Sequence, residues 1–363
     1  MKYDDMMTSS STPRADRGAA SAPGAACTGN RPLQGRGKTG AMASFTAELP
    51  KNKDVVLQGH VGIVYSVCRL PDGRLASGSG DKKIRIWSLE GNRRALQDLS
   101  CVGHTSLIYN VVALPDGRIA SSSFDNTLRV WSIEGNVATC DSMITGEKPG
   151  NKILCLTVLP QGRLAGGCAD GAIRIWTLPP SAGKGSKPPS YDNTLQGHTS
   201  GVCCLSTLPS GKIVSASHDT TLRVWSLGYM GGTCEHILTG HSKFINAIAV
   251  FDDGRIVSAS DDKTLRVWSL DVSGKSYTSQ VLMGHTAKVL ACAVLPDGRI
   301  ISGSSFGKLR IWSARELTME LVIEGGHSDS ITVVKSLDGT GKVVTGSEDC
   351  TLRVIDVPRS TLF

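Results

Sequence analysis

The hexapeptide Lys263-Thr-Leu-Arg-Val-Trp268 decides the fold of this chain, because near-identical copies of it recur along the sequence. The other copies end at the remaining five tryptophans, which follow one another at intervals of 43 to 49 residues: Trp87, Trp131, Trp176, Trp225 and Trp312. A seventh copy, Thr351-Leu-Arg-Val-Ile355, carries isoleucine in place of tryptophan. A regular period of this length predicts an array in which each copy forms one supersecondary unit.

A Gly-His pair precedes most copies of the hexapeptide. In five copies the histidine lies 27 residues before the tryptophan, and these residues are His60, His104, His198, His241 and His285. His327 lies 28 residues before Ile355 in the seventh copy. This Gly-His and Trp signature, with a period of about 44 residues, resembles the WD40 repeat of G-protein β-like propellers. The resemblance covers residues 54 to 357 and implies an all-β, seven-bladed WD40 β-propeller.

Each repeat predicts four antiparallel strands, which we name a to d. The turn between strands a and b reads Leu-Pro-Asp-Gly-Arg at 70–74, 114–118 and 295–299, and its glycine supplies a positive-φ position. After Val357 no room remains for a strand d in the seventh blade. We therefore predict that the N-terminal strand Val55-Val56-Leu57 completes the last blade and closes the ring, which removes an exposed edge.

Composition divides the chain into two parts. Residues 1–50 are rich in Ser, Ala, Gly and Thr and poor in β-branched apolar residues, so we predict a disordered tail there and one propeller domain over 51–363. No apolar run approaches the ~20 residues needed to span a bilayer. Most of the eleven cysteines lie in apolar strand phrases without metal-site spacing, which favours a reducing compartment, the cytoplasm or nucleus.

The net charge of +7 raises the question of a nucleic-acid partner. Fourteen of the basic residues, however, occupy two positions of every repeat and are therefore spread around the ring. Nucleic-acid binding requires basic residues gathered on one face. The pattern thus disfavours a nucleic-acid partner, except as part of a ribonucleoprotein.

A second periodicity consists of polar residues. An aspartate stands six residues before the Trp position, and a serine or threonine stands ten before it, in six blades each. We predict that Trp, Ser, His and Asp form a hydrogen-bonded tetrad, because their donors and acceptors complement one another. The complete tetrads are His60, Ser77, Asp81 and Trp87; His104, Ser121, Asp125 and Trp131; His198, Ser215, Asp219 and Trp225; and His241, Ser258, Asp262 and Trp268.

A His-Ser-Asp set also resembles a hydrolase triad. WD40 propellers use these positions structurally, however, so the resemblance implies a protein that is not an enzyme and has no cofactor. Three blades depart from the pattern. Blade 3 has Gly166 for serine and Glu147-Lys-Pro-Gly150 for Gly-His, blade 6 has Phe306 for aspartate, and blade 7 has Ile355 for tryptophan. Drift explains blade 7, whereas blades 3 and 6 fit either drift or reshaping for contacts.

The resemblance also implies a partner-binding face, which carries the Gly-His loops and the b–c turns. Three positions per blade point there: the third and fifth residues after histidine, and the residue before the turn aspartate. The candidate residues are Ile63, Tyr65, Leu107, Tyr109, Phe124, His218, Phe244, Asn246 and Phe306. Five of the twelve Tyr and Phe residues of the chain fall in this set. The alternative is that some of them pack into the channel wall.

The opposite face offers a weaker candidate, a second basic patch of Arg163, Lys184, Lys187 and Lys212. In blades 3 and 4 the a–b turn aspartate is replaced by Gln161 and Ser210, which predicts that Arg163 and Lys212 are not neutralised. Such a patch would suit an acidic protein segment, phosphate or rRNA. The alternative is a solvated flexible loop.

Together these patterns predict a non-catalytic scaffold or adaptor that binds a peptide or small domain on the Gly-His face. One alternative is a constitutive subunit of a large assembly of the ribosome or cilium type. Another is an adaptor of the ubiquitin pathway that binds substrate or ubiquitin. The partner in each case is a protein, no membrane is involved, and the closed ring is expected to be monomeric by itself.

Overall fold

A computed structural model of the protein describes residues 46–48, 54–90, 94–145, 151–179, 189–228, 231–271, 276–324, 326–337 and 340–358. Its strands form seven antiparallel four-stranded sheets, one of which gains a fifth strand. The resemblance to a seven-bladed propeller is therefore confirmed. The only helical element in the described ranges is a 3-10 turn at Pro160–Gly162.

The strands are numbered along the chain. The two N-terminal strands are β1 (Thr46–Glu48) and β2 (Val55–Leu57). Blades 1 to 4 consist of β3 (Val64–Arg69), β4 (Leu75–Ser79), β5 (Lys83–Glu90), β6 (Arg94–Val102), β7 (Ile108–Ala113), β8 (Ile119–Ser123), β9 (Thr127–Glu134), β10 (Val137–Thr145), β11 (Ile153–Leu159), β12 (Arg163–Cys168), β13 (Ile173–Thr177), β14 (Ser190–Leu195), β15 (Val202–Thr207), β16 (Ile213–Ser217), β17 (Leu222–Gly228) and β18 (Gly231–Leu238). Blades 5 to 7 contain β19 (Ile245–Val250), β20 (Ile256–Ser260), β21 (Leu265–Leu270), β22 (Tyr277–Leu282), β23 (Val289–Val294), β24 (Ile300–Ser304), β25 (Leu309–Trp312), β26 (Met319–Glu324), β27 (Ile331–Leu337), β28 (Lys342–Ser347) and β29 (Leu352–Asp356).

The first strands of the blades form the inner ring. Each contacts the first strand of the next blade, from β3 through β7, β11, β15, β19 and β23 to β27, and β27 contacts β3 again. Apolar side chains fill the space between consecutive sheets, and the hexapeptide tryptophans lie among them. Five of these tryptophans are at most 1% exposed. Burial of large rings at one repeat position explains why the period is so regular.

The seventh blade is closed as predicted. Strand β2 pairs antiparallel with β29, with Val55 opposite Val354 and Leu57 opposite Leu352. The Leu57 side chain is 1% exposed and packs in the cluster shared by blades 7 and 1. The N-terminal strand thus supplies both backbone partners and core contacts to a sheet otherwise built from the C-terminal part of the chain.

The predicted tail does not keep its boundary at residue 50. Strand β1 lies within it and pairs in parallel with β26, with Thr46 opposite Val322 and Glu48 opposite Glu324. Blade 6 therefore has five strands in the order β1-β26-β25-β24-β23. Prediction of disorder for residues 1–45 falls outside the described residues and stays a prediction.

The a–b turns have the predicted glycine geometry. Gly73 has a φ of +91° and its N–H donates to the Leu70 carbonyl at 2.9 Å. The turn arginine pairs with the turn aspartate, as Arg299 does with Asp297 at 2.7 Å. Arg299 Nη2 also donates to the Pro358 carbonyl of the next blade at 2.7 Å. The basic residue of this turn is therefore a tie between blades rather than a free charge.

Cysteines behave as small apolar residues in the inner strands. Cys155 and Cys292 are buried, and Cys68 is half-buried. Burial raises the pKa of Cys68 to about 12 and the pKa of Cys155 well above its ordinary value, so both thiols stay protonated. Within the described ranges, no helix has the length and apolar character to cross a membrane.

Candidate partner-binding face

The Gly-His loops and b–c turns meet at one edge of every blade. In all seven blades, the N–H of the residue before the turn aspartate donates to the carbonyl of the third residue after histidine, or of its counterpart in blade 3. The pairs are Gly80–Ile63, Phe124–Leu107, Ala169–Lys152, His218–Gly201, Asp261–Phe244, Ser305–Lys288 and Glu348–Ser330, at 2.8 to 3.0 Å. Two of the three predicted positions are thus brought together in each blade.

The third predicted position is a β-bulge. In each first strand the register with the second strand shifts at the fifth residue after histidine. These bulged residues are Tyr65, Tyr109, Leu154, Cys203, Asn246, Leu290 and Thr332. A bulged residue leaves the hydrogen-bond ladder, so its side chain is re-aimed. Sequence alternation alone did not predict this bulge.

Aromatic side chains of blades 1 and 2 form a continuous group on this face. The ring centroids of Tyr65 and Tyr109 are 6.2 Å apart, and those of Tyr109 and Phe124 are 6.1 Å apart. Lys152 of blade 3 places its Nζ 3.3 Å from the Phe124 centroid, a cation–π contact. We call Tyr65, Tyr109, Phe124 and Lys152 the aromatic patch. Tyr65 and Phe124 are half-buried, whereas Tyr109 is only 8% exposed.

Burial also governs the ionisation of the aromatic patch. It raises the pKa of Tyr65 to about 12, and it raises the pKa of Tyr109 as well. Both phenols are therefore neutral at physiological pH. Burial lowers the pKa of Lys152, because the ammonium group has lost part of its water.

Sequence reasoning missed an apolar residue beside this patch. Val61 follows His60 directly and is 84% exposed. At the same position the other Gly-His loops have threonine or serine, as in Thr105 and Ser242. This departure from the repeat was the signal that identifies it. Ile63 and Leu107, which the sequence did predict, are half-buried on the same loops.

The remaining candidates lie on blades 4 to 6, apart from the aromatic patch. The rings of His218 and Phe244 stack with centroids 4.7 Å apart, and burial lowers the pKa of His218. Phe306 is 69% exposed. Asn246 belongs to the wall: its Nδ2 donates to Asp261 Oδ1 at 2.8 Å and to the Val289 carbonyl of the next blade at 2.9 Å. For Asn246 the alternative of wall packing therefore describes the observed contacts.

The second basic patch is corrected at one residue. Lys212 was predicted to lack a counter-ion, but its Nζ lies 2.6 Å from Glu235 Oε2. Arg163 Nε donates to the Pro160 carbonyl at 3.5 Å, within a turn where Gln161 has a φ of +64°. Lys184 and Lys187 lie outside the described residues. The patch as a binding site stays a prediction.

The four complete tetrads have the predicted geometry. In blade 5, Trp268 Nε1 donates to Ser258 Oγ at 2.8 Å. Ser258 Oγ lies 2.7 Å from His241 Nε2, and His241 Nδ1 lies 2.7 Å from Asp262 Oδ2. Since carboxylate only accepts, His241 carries its proton on Nδ1 and the serine hydroxyl donates to Nε2. The same distances, within 0.1 Å, recur in blades 1, 2 and 4.

Two properties of the tetrad exclude triad chemistry. The serines are 0% exposed, so no substrate reaches their hydroxyls. Each hydroxyl also accepts from an indole N–H, which occupies the lone pair that a nucleophile needs. Burial lowers the pKa of His60, His104 and His241 despite their aspartate partners, which keeps the rings neutral. The described residues contain no group of three His, Cys, Asp or Glu side chains that would hold a metal ion.

Blade 6 keeps its histidine by a different arrangement. In the absence of a turn aspartate, Arg310 Nη1 donates to His285 Nδ1 at 2.8 Å. The Nδ1 atom is then an acceptor, so Nε2 carries the proton and donates to Ser302 Oγ at 2.7 Å. His285 is therefore the opposite tautomer of the other blades. Burial, and next the Arg310 charge, lower the pKa of His285 to about 3.

We expect Phe306→Asp to make the protein less sensitive to acid. Unfolded His285 has a pKa near 6.5 and the folded residue about 3, so between these values the unfolded state binds one more proton. At pH 5 this linkage costs about 2 kcal/mol of unfolding free energy. A carboxylate at 306 would accept from Nδ1–H, raise the pKa of His285 and reduce that loss. Urea unfolding at pH 7 and pH 5 measures it, with Phe306→Ser as the control. Equal pH dependence in all three proteins would contradict the assignment.

Blade 3 replaces the histidine differently. Asn151 Nδ2 donates to Asp170 Oδ2 at 2.9 Å, and Arg174 donates to both Asp170 oxygens at 3.2 and 3.0 Å. A cavity of about 20 Å³, enough for one water molecule, lies between Asn151, Arg174 and Trp176. A Cβ atom on Gly166 would lie 2.8 Å from Trp176 Cζ3, so the indole occupies the place of the missing serine. The loop is two residues shorter here, which hid Asn151 from the Gly-His spacing.

These features define a class: a closed seven-bladed β-propeller whose blades are joined by buried Trp-Ser-His-Asp tetrads. The chain belongs to the WD40 family, described as WD domain, G-beta repeat, which matches residues 52–88, 97–132, 139–177, 190–226, 232–269, 276–313 and 318–356. WD40 propellers are in general non-catalytic domains that bind protein partners.

Comparison with solved structures gives the fold independently. The chain is similar to the crystal structure of the WD40 β-propeller domain of Doa1, with a TM-score of 0.69 and 21% sequence identity. The similarity covers 85% of this chain and 96% of the Doa1 domain. A comparison with curated protein sequences finds no match.

Proposed function

We propose that this propeller is a protein-interaction scaffold or adaptor whose partner binds the Gly-His face at the aromatic patch. The observation that carries the proposal is the continuous group of Tyr65, Tyr109 and Phe124 on neighbouring blades. Aromatic residues are only 5% of the chain, so their grouping on one face is unusual. Exposed apolar groups with a polar rim usually mark interaction sites, and tyrosine is enriched at binding hot spots.

The surroundings of the patch support this proposal. Val61 adds an apolar side chain that is 84% exposed and has no structural reason to be apolar there. Tyr65 lies over the b–c turn of its own blade, since a Cβ atom on Gly80 would lie 3.6 Å from its Cε2. A larger residue at 80 would cover the tyrosine edge, so glycine keeps that edge accessible. The proposal includes a location in the cytosol or nucleus, where buried thiols such as Cys155 stay reduced.

The test is a comparison of bound proteins between two matched variants. Val61→Ser/Tyr65→Ala/Phe124→Ala removes the exposed part of the patch and leaves the buried Tyr109 in place. Phe244→Ala/Phe306→Ala removes two aromatic rings from the same face but from other blades. Both variants must melt like the wild type. We expect the first variant alone to weaken a directly measured partner affinity more than roughly tenfold.

The alternatives predict other outcomes of this experiment. A constitutive subunit of a large assembly would sediment with one large particle in high salt, and the patch variant would not release it. An adaptor of the ubiquitin pathway would lose ubiquitin or ubiquitinated substrate selectively. If neither variant changes any direct affinity, the patch is channel wall and the proposal fails.

A further inference from the structure

Cations on the two faces of the propeller differ in how they are paired. On the a–b turn face, Arg74, Arg118, Arg255 and Arg299 each pair with the aspartate of their own turn, and Lys212 pairs with Glu235. On the Gly-His face, five lysines have no carboxylate partner among the residues that the structure describes: Lys82, Lys83, Lys152, Lys243 and Lys263. Positive charge without a counter-ion is therefore concentrated on the face that carries the aromatic patch.

Three of these lysines surround the aromatic patch. Lys82 and Lys83 follow the b–c turn of blade 1, next to Gly80 and the Tyr65 ring. Lys152 approaches from blade 3 and rests on Phe124. One carboxylate, that of Glu348, lies near Tyr65 on the blade 7 side. The rim of the patch is thus predominantly basic.

Lys152 holds its charge in an incompletely solvated position. Its Nζ lies 3.3 Å from the Phe124 centroid, and the side chain is half-buried. A cation–π contact uses one side of the ammonium group and offers the ring quadrupole rather than a full negative charge. A carboxylate that approaches from the solvent side would form a charge-assisted hydrogen bond in a partly dry setting, where such bonds are strongest.

The ring geometry favours a peptide over a nucleic acid. Single-stranded nucleic acids stack their bases on open ring faces. Here the planes of Tyr65 and Tyr109 meet at 57° and those of Tyr109 and Phe124 at 44°, so the rings cover one another. Lys152 occupies a face of Phe124, and Tyr109 is 8% exposed. The edges and gaps that remain suit an aliphatic or aromatic side chain of a peptide.

We propose that the segment bound at the aromatic patch is an acidic peptide, in which a large apolar anchor contacts Val61, Tyr65 and Phe124 and a neighbouring Asp or Glu pairs with Lys152. This inference rests on the proposed function and adds the chemistry of the partner. Lys82 and Lys83 then attract further acidic residues and accelerate association, more strongly at low salt.

The experiment selects ligands from a displayed library of random linear peptides, with the full chain as target. Peptides retained by the wild type but not by Val61→Ser/Tyr65→Ala/Phe124→Ala are sequenced and synthesised. We expect them to carry Asp or Glu beside an apolar anchor. Lys152→Met should weaken their binding roughly tenfold, as for a close interfacial charge pair. Lys263→Met, on the same face in blade 5, is the matched control and should leave it nearly unchanged.

Further measurements separate this inference from the proposed function. Lys152→Arg should retain most of the affinity, and all variants must melt like the wild type. Patch-dependent peptides without acidic residues, or with equal affinity for wild type and Lys152→Met, would overturn the inference and leave the proposed function standing. Patch-dependent binding of oligouridine, with no peptide selected, would replace the peptide with a nucleic acid. If no ligand depends on the patch, both proposals fail.

Discussion

Deletion of residues 1–58 is expected to abolish the cooperative unfolding transition, whereas deletion of residues 1–44 should leave it unchanged. The longer deletion removes β2, and with it the backbone partner of β29 and the buried side chain of Leu57. The exposed β29 edge would then be free to pair with other molecules, so aggregation is expected as well. Thermal melts followed by circular dichroism and light scattering measure both effects.

Two controls separate the contributions within this region. Deletion of residues 1–53 removes β1 but keeps β2, and we expect only a small loss because β1 pairs through three residues at the edge of blade 6. Within β2, Leu57→Ala should lower the unfolding free energy by about 2–5 kcal/mol, the usual range for a buried leucine. Val56→Ala, at a position that is 38% exposed, should have a much smaller effect. Equal melting temperatures after deletion of 1–44 and 1–58 would refute closure by β2.

Substitution Ser258→Ala is expected to lower the unfolding free energy by about 1–3 kcal/mol, although it removes only one oxygen atom. That oxygen lies 2.8 Å from Trp268 Nε1 and 2.7 Å from His241 Nε2. Both groups are buried, so each loses its partner without access to water. Urea unfolding of the full chain gives the difference.

The matched control for this prediction is Ser206→Ala, on the half-buried inner strand of blade 4. We expect it to change the unfolding free energy by less than about 0.5 kcal/mol, as surface-like substitutions usually do. If Ser258→Ala and Ser206→Ala have equal effects, the tetrad contributes no more than ordinary burial of a serine, and its role as the polar tie within each blade is wrong.

Features that repeat were predictable from the sequence. Seven copies of one pattern average out local ambiguity, so the tetrad of Ser258 and the closure by β2 followed from spacing alone. Positions such as Phe124 and Leu107, whose main-chain pairing recurs in every blade, were also correctly placed on one face. The partner-binding role of these residues is a separate question and remains a proposal.

Features that occur once were not predictable, because they depend on side-chain reach across the fold. Arg310 turns from its strand to His285 only because blade 6 lacks a carboxylate. Asn151 reaches Asp170 from a shortened loop, and Glu235 neutralises Lys212 from a strand further along the chain. Strand β1 was missed because its composition is that of the tail, and its pairing depends on backbone groups.

The closing strand also places a constraint on synthesis. Val55 leaves the ribosome about 300 residues before its partner Val354. At typical translation rates this interval is about 15–60 s, during which blades 1 to 6 are able to form but β2 has no sheet to join. The nascent chain therefore carries an unpaired apolar strand at its leading end until the last blade emerges. A ring of this kind is completed only when the whole chain has been made, so a prematurely terminated product retains an open edge that quality-control factors can recognise.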